Sequence, residues 1–428
     1  PGGPNGDFGI KYNTATGGQA SEGLTQDLYD ATRNLHDYAI ADIGAVDFNL
    51  PGEKRYGSLL VEIVDPVTDY ANLMESLFDF DRIRAAFNEG FRMRFDAMNA
   101  VTGPYAVEIL ERRLGAPEGT VVNGVPLEDF GGLHPDPNPI DASSLVAHMN
   151  SEQAPDFGAA SDGDGDRNMI LGKGFVVSPG DSLAILAANA EKIPGYRGGL
   201  AGVARSMPTS RAIDKVAAHL GIDCHETPTG WRFFCNLLES QMIDLCGEES
   251  FGTSSSHARE KDGLWAVLFW LDLQAATGRS VNEIVADHWA KFGRHAYCRN
   301  DYFVADADKA AKVMADLEVR VDSLAGQNYD DLTIERADSF TYVDPVDQSE
   351  SPQQGIRVFI EDGSRIIYRL SGTGTAGATL RVYLERFLND PAAIEMDAVD
   401  ATLRLAAVSR DIARLEELTG LSEPTGVV

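Results

Sequence analysis

Residues 91–115 read FRMRFDAMNAVTGPYAVEILERRLG. The first nine have the apolar and polar pattern of a strand, and GPYAVEILERRLG carries apolar residues at helical spacing. Further along, TVVNG at 120–124 is strand-like again and DASSLVAHMN at 141–150 is helix-like. Alternation of strand and helix predicts a largely parallel α/β sheet for residues 63–195. The same rhythm returns over 196–296 with GLAGVARS, AIDKVAAHLG, DCHETP, FFCNLLES, IDLCGEES and two long helices. Toward the N-terminus, residues 1–62 hold a Gly/Pro/Asn loop, a polar helix-like stretch and the strand-like SLLVEIV, too few residues for a complete layered domain. From 297 onward LTIERAD, SFTYVD, GIRVFIEDG and SRIIYRLSG are closely spaced strands, with Asp362-Gly363 as a hairpin turn and a closing helix from Met396 to about Gly420. The expected architecture is multi-domain α/β, with mixed α/β layers in the first three segments (1–62, 63–195, 196–296) and an α+β C-terminal segment, 297–428.

The chain has 428 residues, long enough for roughly three domains of about 150 residues. With 43% hydrophobic and 8% aromatic residues it is ordinary globular material. No apolar run reaches the roughly 18 residues that a membrane span needs. The formal charge of -30 argues against non-specific attraction to nucleic acid or anionic membrane. An anionic ligand therefore requires a local concentration of basic groups. Cys224, Cys235, Cys246 and Cys298 show no CxxC spacing, which predicts buried reduced thiols and, with no signal visible after Pro1, a cytoplasmic setting.

Three stretches carry candidate chemistry. In Asp162-Gly-Asp164-Gly-Asp166-Arg167, carboxylates on alternate residues of a Gly-loosened turn can converge on a hard cation. An EF-hand needs Gly at its sixth position and Glu at its twelfth; Arg167 and Lys173 stand there instead, so a calcium loop is excluded. Three carboxylates leave positions open on a divalent ion such as Mg²⁺ for a phosphoryl oxygen. The second stretch, Arg369-Leu-Ser371-Gly-Thr373-Gly-Thr375-Ala-Gly377-Ala-Thr379-Leu-Arg381, contains GxGxxG, yet TLRVYLERF after it alternates like a strand and cannot open a Rossmann helix. What remains is a Gly-rich loop offering N–H groups, hydroxyls and two arginines to an anion.

The third stretch is Cys246-Gly-Glu248-Glu249-Ser250-Phe-Gly, running on to His257, Arg259, Glu260, Lys261 and Asp262. Glu248 and Ser250, alternate residues of an extended segment, can bond vicinal sugar hydroxyls; helix capping by Ser250 or Glu249 is the rival reading. In Thr227-Pro-Thr229-Gly-Trp231 the indole is suited either to stack on a sugar ring or to pack in the core.

PGGPNGDFGIKYN, DGDGDR, ETPTGW, GEESFGT with REKDGLWAV, and RLSGTGTAGATLR occur in the order expected of the α-D-phosphohexomutases, which the chain resembles along nearly its whole length. GEESFG favours the branch acting on glucose phosphates over mannose or glucosamine phosphates. The resemblance implies four domains around a central cleft. It implies Mg²⁺ on Asp162, Asp164 and Asp166, with Arg167 supporting the phosphoryl group. It also implies sugar recognition by Glu248 and Ser250 beside Thr229 and Trp231, and a phosphate grip by Arg369, Ser371, Thr373 and Arg381. Lys11 and Lys261 become candidates for proton transfer or charge stabilisation.

The implied activity is interconversion of glucose 1-phosphate and glucose 6-phosphate through glucose 1,6-bisphosphate. Expected partners are small hexose phosphates and neither nucleic acid nor membrane, with the chain a monomer or weak dimer. The resemblance also places a phosphorylated serine in a Thr-Ala-Ser-His-Asn segment immediately before Pro-Gly-Gly, whereas this sequence starts at Pro1. The expectation is a remnant first domain over 1–62 and no turnover by these residues alone. Two rivals are a non-catalytic sugar-phosphate-binding or scaffolding protein and a metal-dependent phosphatase.

Overall fold

The computed structural model describes residues 11–40, 43–48, 50–329, 331–371 and 377–428. The chain separates into two compact units. The first comprises Pro1–Val176, Asn189–Gly199 and Gly252–Val281; the second comprises Val177–Ala188, Leu200–Phe251 and Asn282–Val428.

The first unit is built on a five-stranded sheet in the order Val121–Val122, Met93–Asp96, Phe157–Ser161, Asn168–Gly172, Phe175–Val176. The first three strands are parallel, as the strand and helix rhythm requires, and the last two are antiparallel to their neighbours. The expectation of a largely parallel sheet is corrected here for a simple reason. The Asp162–Arg167 turn is far too short to carry a parallel crossover, so the strands it joins must form a hairpin. Phe157–Ser161 and Asn168–Gly172 are buried throughout, since helices cover the sheet. The apolar helix Gly263–Thr277 is buried from Gly263 to Gln274, and Asp262 caps it by accepting from the Trp265 N–H at 2.9 Å. The helix expected within 103–115 forms in two parts, Thr102–Ala106 and a π-helical Val107–Arg113.

The second unit holds three parallel strands, Leu245–Gly247, Gly202–Ser206 and Asp223–Thr227, with helices Ala212–Leu220 and Arg232–Glu239 between them in sequence. It also holds an antiparallel seven-stranded sheet in the order Asn328–Tyr329, Leu332–Ser339, Ile356–Ile360, Arg365–Ser371, Ala378–Leu388, Arg294–Val304, Gly426–Val427. The Asp362-Gly363 turn forms as expected, with Gly363 at φ +86° and the Ser364 N–H bonded to the Asp362 carboxylate at 2.8 Å.

Helices Ala307–Arg320 and Ala398–Ala413 pack on one face of that sheet, where Val313, Leu317, Leu405 and Ile412 meet Tyr302, Ile366, Tyr368, Leu380, Val382 and Leu384. The closing helix expected to run to Gly420 breaks at Arg414, which takes a left-handed φ of +51° and starts the short helix Leu415–Thr419. A buried arginine, ion-paired within the larger sheet, ties these two sheets together. Arg365 donates to Glu385 at 2.8 Å and to the carbonyls of Met207 and Thr209 at 3.0 and 2.8 Å.

All four cysteines are free thiols, Cys224 half-buried and the other three buried. Burial is the main cause that pushes the Cys224 thiol up to about 12, with the Asp214 carboxylate adding to it.

Candidate functional site

In the first unit the turn Asp162–Arg167 brings carboxylate oxygens of Asp162, Asp164 and Asp166 within 4.8 Å of one another. Gly165 makes the turn possible at φ +81°, and its carbonyl accepts from the Gly263 N–H at 3.0 Å. A Cβ on Gly263 would lie 2.1 Å from the Arg167 carbonyl oxygen, so glycine is required for this helix to start against the turn.

Burial, and next the neighbouring Asp166 carboxylate, push the Asp162 carboxyl up to about 7. Burial also works to raise Asp164, but the Lys11 ammonium at 3.3 Å helps hold that carboxyl below its ordinary value. Asp166 Oδ1 is buried and accepts no hydrogen bond, with Arg167 Nε 3.6 Å away. An all-oxygen donor set with mutual repulsion and an unsatisfied buried oxygen fits a hard divalent cation, whose ligand oxygens stand at most about 4 Å apart at Mg²⁺ bond lengths.

Three cations surround the turn. Lys11, exposed, reaches Asp164 and lies 3.9 Å from Asp166 Oδ2. Lys261, half-buried, lies 3.7 Å from the same Asp166 oxygen. Arg167 donates through its backbone N–H to Asp162 at 3.0 Å and through Nη1 to Asp136 at 3.2 Å. Burial works to lower the Arg167 pKa, and the carboxylates of Asp136, Asp162 and Asp166 raise it.

Sequence reading gave no role to the residues that hold these cations. Glu260 accepts from Asn13 and Gln19 at 3.0 and 2.9 Å and so anchors the Lys11 segment. Asp262 accepts from Tyr70 at 2.7 Å and pairs with His257 at 2.9 Å, fixing the loop that presents Lys261. Tyr70 and Asp136 had no visible signal because their partners lie far away in sequence.

In the second unit the register of the antiparallel sheet sets Arg369 directly opposite Arg381, and Arg381 opposite Asp301. Side chains alternate along a strand, so these three form one row on the face away from Ala307–Arg320 and Ala398–Ala413. Like charges directly opposed are unfavourable. Asp301 compensates only in part, since it lies 3.8 Å from Arg381 Nε while accepting two bonds from Arg299 at 3.0 Å each. Arg381 Nε is buried and makes no hydrogen bond. Ser371 is half-buried two pairs further along, opposite Thr379. The row is an excess of donors suited to a multiply charged anion. Thr373 lies outside the described residues.

Glu248 is buried and accepts from the Gly230 N–H at 2.8 Å, which brings it beside the 227–231 segment. Ser250 is half-buried, and Thr229 Oγ1 is buried with no hydrogen-bond partner. Two expectations change here. The chain does not stay extended after Gly247 but turns through 249–251, with Phe251 at φ +65°. Trp231 is 2% exposed and packs edge-on against Phe234 at 5.0 Å, so of its two readings the core role is the one the geometry favours.

Family models match in three consecutive blocks. Residues 68–174 match phosphoglucomutase/phosphomannomutase α/β/α domain II, 179–292 match domain III, and 294–425 match the phosphoglucomutase-1 C-terminal domain. A phosphoglucomutase of Rhizobium radiobacter is 54% identical over 425 residues, covering 99% of this chain and 78% of that protein.

The chain belongs to the phosphohexomutase family.

Human phosphoglucomutase-1 is 48% identical over 441 residues, again covering 99% of the chain and 78% of the relative. The open form of the Paramecium phosphoglucomutase parafusin superposes with a TM-score of 0.90 at 44% identity, covering 99% of this chain and 77% of that one. The multi-domain phosphohexomutase architecture is thereby established for this chain. Among the described residues no helix is long and apolar enough to cross a membrane.

Proposed function

We propose that this phosphohexomutase is a phosphoglucomutase, interconverting glucose 1-phosphate and glucose 6-phosphate by way of glucose 1,6-bisphosphate. The observation that carries the reading is the Asp162, Asp164 and Asp166 set ringed by Lys11, Lys261 and Arg167. Phosphoryl transfer requires little covalent chemistry from the protein and much positioning of opposite charge, and this set supplies both signs.

Asp162, Asp164 and Asp166 would hold Mg²⁺, which when bound supplies charge neutralisation on phosphoryl oxygens. Arg167, oriented by Asp136, directs guanidinium donors at the same group. Lys261, half-buried beside Asp166, stabilises charge or holds a proton at the hydroxyl oxygen that gains or loses the phosphoryl group, and Lys11 contributes charge from the exposed side. In the second unit Arg369 and Arg381, with Ser371 and Thr373, grip the phosphate that does not react. Glu248 and Ser250, with Thr229 and the backbone around Trp231, contact hydroxyls common to both substrate orientations.

The test is a coupled assay of glucose 1-phosphate conversion with Mg²⁺ and trace glucose 1,6-bisphosphate. It is run on the protein with a Thr-Ala-Ser-His-Asn segment ahead of Pro1, beside the same protein carrying Asp164→Asn. Turnover that disappears with Asp164→Asn supports the reading. Saturable sugar-phosphate binding without turnover would replace it with a binding or scaffolding role, and release of inorganic phosphate would replace it with a phosphatase.

A further inference from the structure

The second glutamate of the sugar loop, Glu249, has no part in the function proposed above, yet it is buried and fully engaged. Its Oε1 accepts from the Tyr383 hydroxyl at 3.2 Å and its Oε2 from the Ser206 hydroxyl at 3.1 Å. Ser206 in turn shares a 2.7 Å hydrogen bond with Thr209. The Tyr383 oxygen accepts from Arg369 Nη1 at 3.1 Å. A phenol has one proton, so the chain has one direction: Arg369 donates to Tyr383, and Tyr383 donates to Glu249. Tyr383 stays protonated, because burial raises its pKa first and the Glu249 charge raises it further, against the pull of Arg369, Arg381 and Arg299.

Two further observations give this chain a purpose beyond packing. Phe251 holds a left-handed backbone that is unusual for a bulky residue and survives only where its surroundings over-determine it. The bonds of Glu248 and Glu249, three and two residues before it, are such a constraint. Arg369 also faces Arg381 across the sheet, and committing one of its five N–H donors to Tyr383 fixes the guanidinium while leaving the others for an anion.

We propose that Glu249 and Tyr383 are positioning residues that tie the sugar loop Glu248–Phe251 to the phosphate-gripping Arg369, so that recognition of the sugar hydroxyls and of the distal phosphate is coupled within the second unit. The inference rests on the phosphoglucomutase reading of Arg369 and of Glu248 with Ser250. Neither positioning residue touches the substrate. Each acts through its neighbour, and hydrogen bonds in series polarise one another.

The experiment is calorimetric titration of the chain with glucose 1-phosphate and, separately, with inorganic phosphate. The variants are Tyr383→Phe, Glu249→Gln, Glu249→Ala, the double Tyr383→Phe/Glu249→Ala, and Arg369→Ala. Thermal melting accompanies each. Losing one charge-assisted bond in the chain weakens glucose 1-phosphate binding by about tenfold in Tyr383→Phe and in Glu249→Ala. The double variant is no weaker than the worse single, because one chain is broken in both. Glu249→Gln keeps an acceptor for Tyr383 and retains most of the affinity. Inorganic phosphate, which has no hydroxyls to read, loses less than about threefold in Glu249→Ala.

Additive losses in the double variant, or equal weakening of both ligands by Glu249→Ala, would overturn the coupling. If Glu249→Ala fails to fold, Tyr383→Phe carries the test, and an unchanged glucose 1-phosphate affinity in that variant overturns the proposal. Arg369→Ala separates the two readings. If it leaves glucose 1-phosphate binding unchanged, the phosphoglucomutase assignment of the row fails. If it weakens binding while Tyr383→Phe does not, only the positioning role fails.

Discussion

At the Asp162–Arg167 turn, carboxylates are crowded by the shortness of the chain that carries them; in the seven-stranded sheet, Arg369 and Arg381 are crowded by strand register. The two regions have the same physical character with opposite sign. Each gathers like charges that repel, each has a partial internal counter-charge, and each leaves a buried polar atom without a hydrogen bond: Asp166 Oδ1 in one, Arg381 Nε in the other. Folding alone does not favour such groupings. They are tolerated where a ligand of opposite sign completes them, in the proposed function a cation at the turn and a phosphate at the row. The difference lies in how the crowding is built. The turn is local and its geometry rests on Gly165 and Gly263, whereas the row depends on three strands keeping register.

The largest expected effect is at the turn. Asp164→Ala removes a carboxylate from the donor set without touching the buried Asp162, and Mn²⁺ or Mg²⁺ affinity is expected to fall by more than about a hundredfold in equilibrium titration. An unchanged affinity would mean that the three carboxylates are only a solvated acidic turn.

The next largest effect is that of pH. With the Asp162 carboxyl raised from 3.8 to about 7, an incoming cation displaces a proton below pH 7. Metal affinity therefore falls by about tenfold for each pH unit below 7. In the metal-free protein the same group favours folding below about pH 4, and that contribution is lost as pH rises through 7. Metal titrations at pH 5, 6 and 7 check the sign, and an affinity independent of pH contradicts it.

At the row, Arg381→Ala in a catalytically competent protein is expected to raise KM for glucose 1-phosphate by about tenfold, with kcat changed far less. An unchanged KM would sever Arg381 from substrate binding. The smallest effect is on stability. Removing one of two opposed guanidinium groups relieves repulsion, so Arg381→Ala raises unfolding free energy by about 0.2–1 kcal/mol in phosphate-free buffer. In saturating phosphate the order reverses, because only the wild-type row is completed by the anion.

What could be read in the sequence follows the same division. DGDGDR was legible because its carboxylates, its glycines and its arginine are consecutive, and the strand and helix rhythm foretold the three parallel strands of each α/β layer. The arginines of the Gly-rich stretch were visible as residues, but their direct opposition was not, because register is decided by pairing across the sheet. Asp301, Tyr383 and Asp136 were silent, each being one polar residue in an unremarkable segment whose partner is distant in sequence. Trp231 shows the converse: a residue type suited to a sugar face, placed by its local turn into the core. The break at Arg414 was hidden because apolar spacing continues through Leu415 and Leu418 on both sides of it.

The proposed role of the arginine row is recognition of a hexose phosphate. Its most direct test is calorimetric titration of the wild-type chain and of Arg381→Ala with glucose 1-phosphate in the presence of Mg²⁺. One saturable site is expected in the wild type, weakened by about tenfold in the variant. No saturable binding in the wild type, or equal affinity in the two proteins, would contradict it.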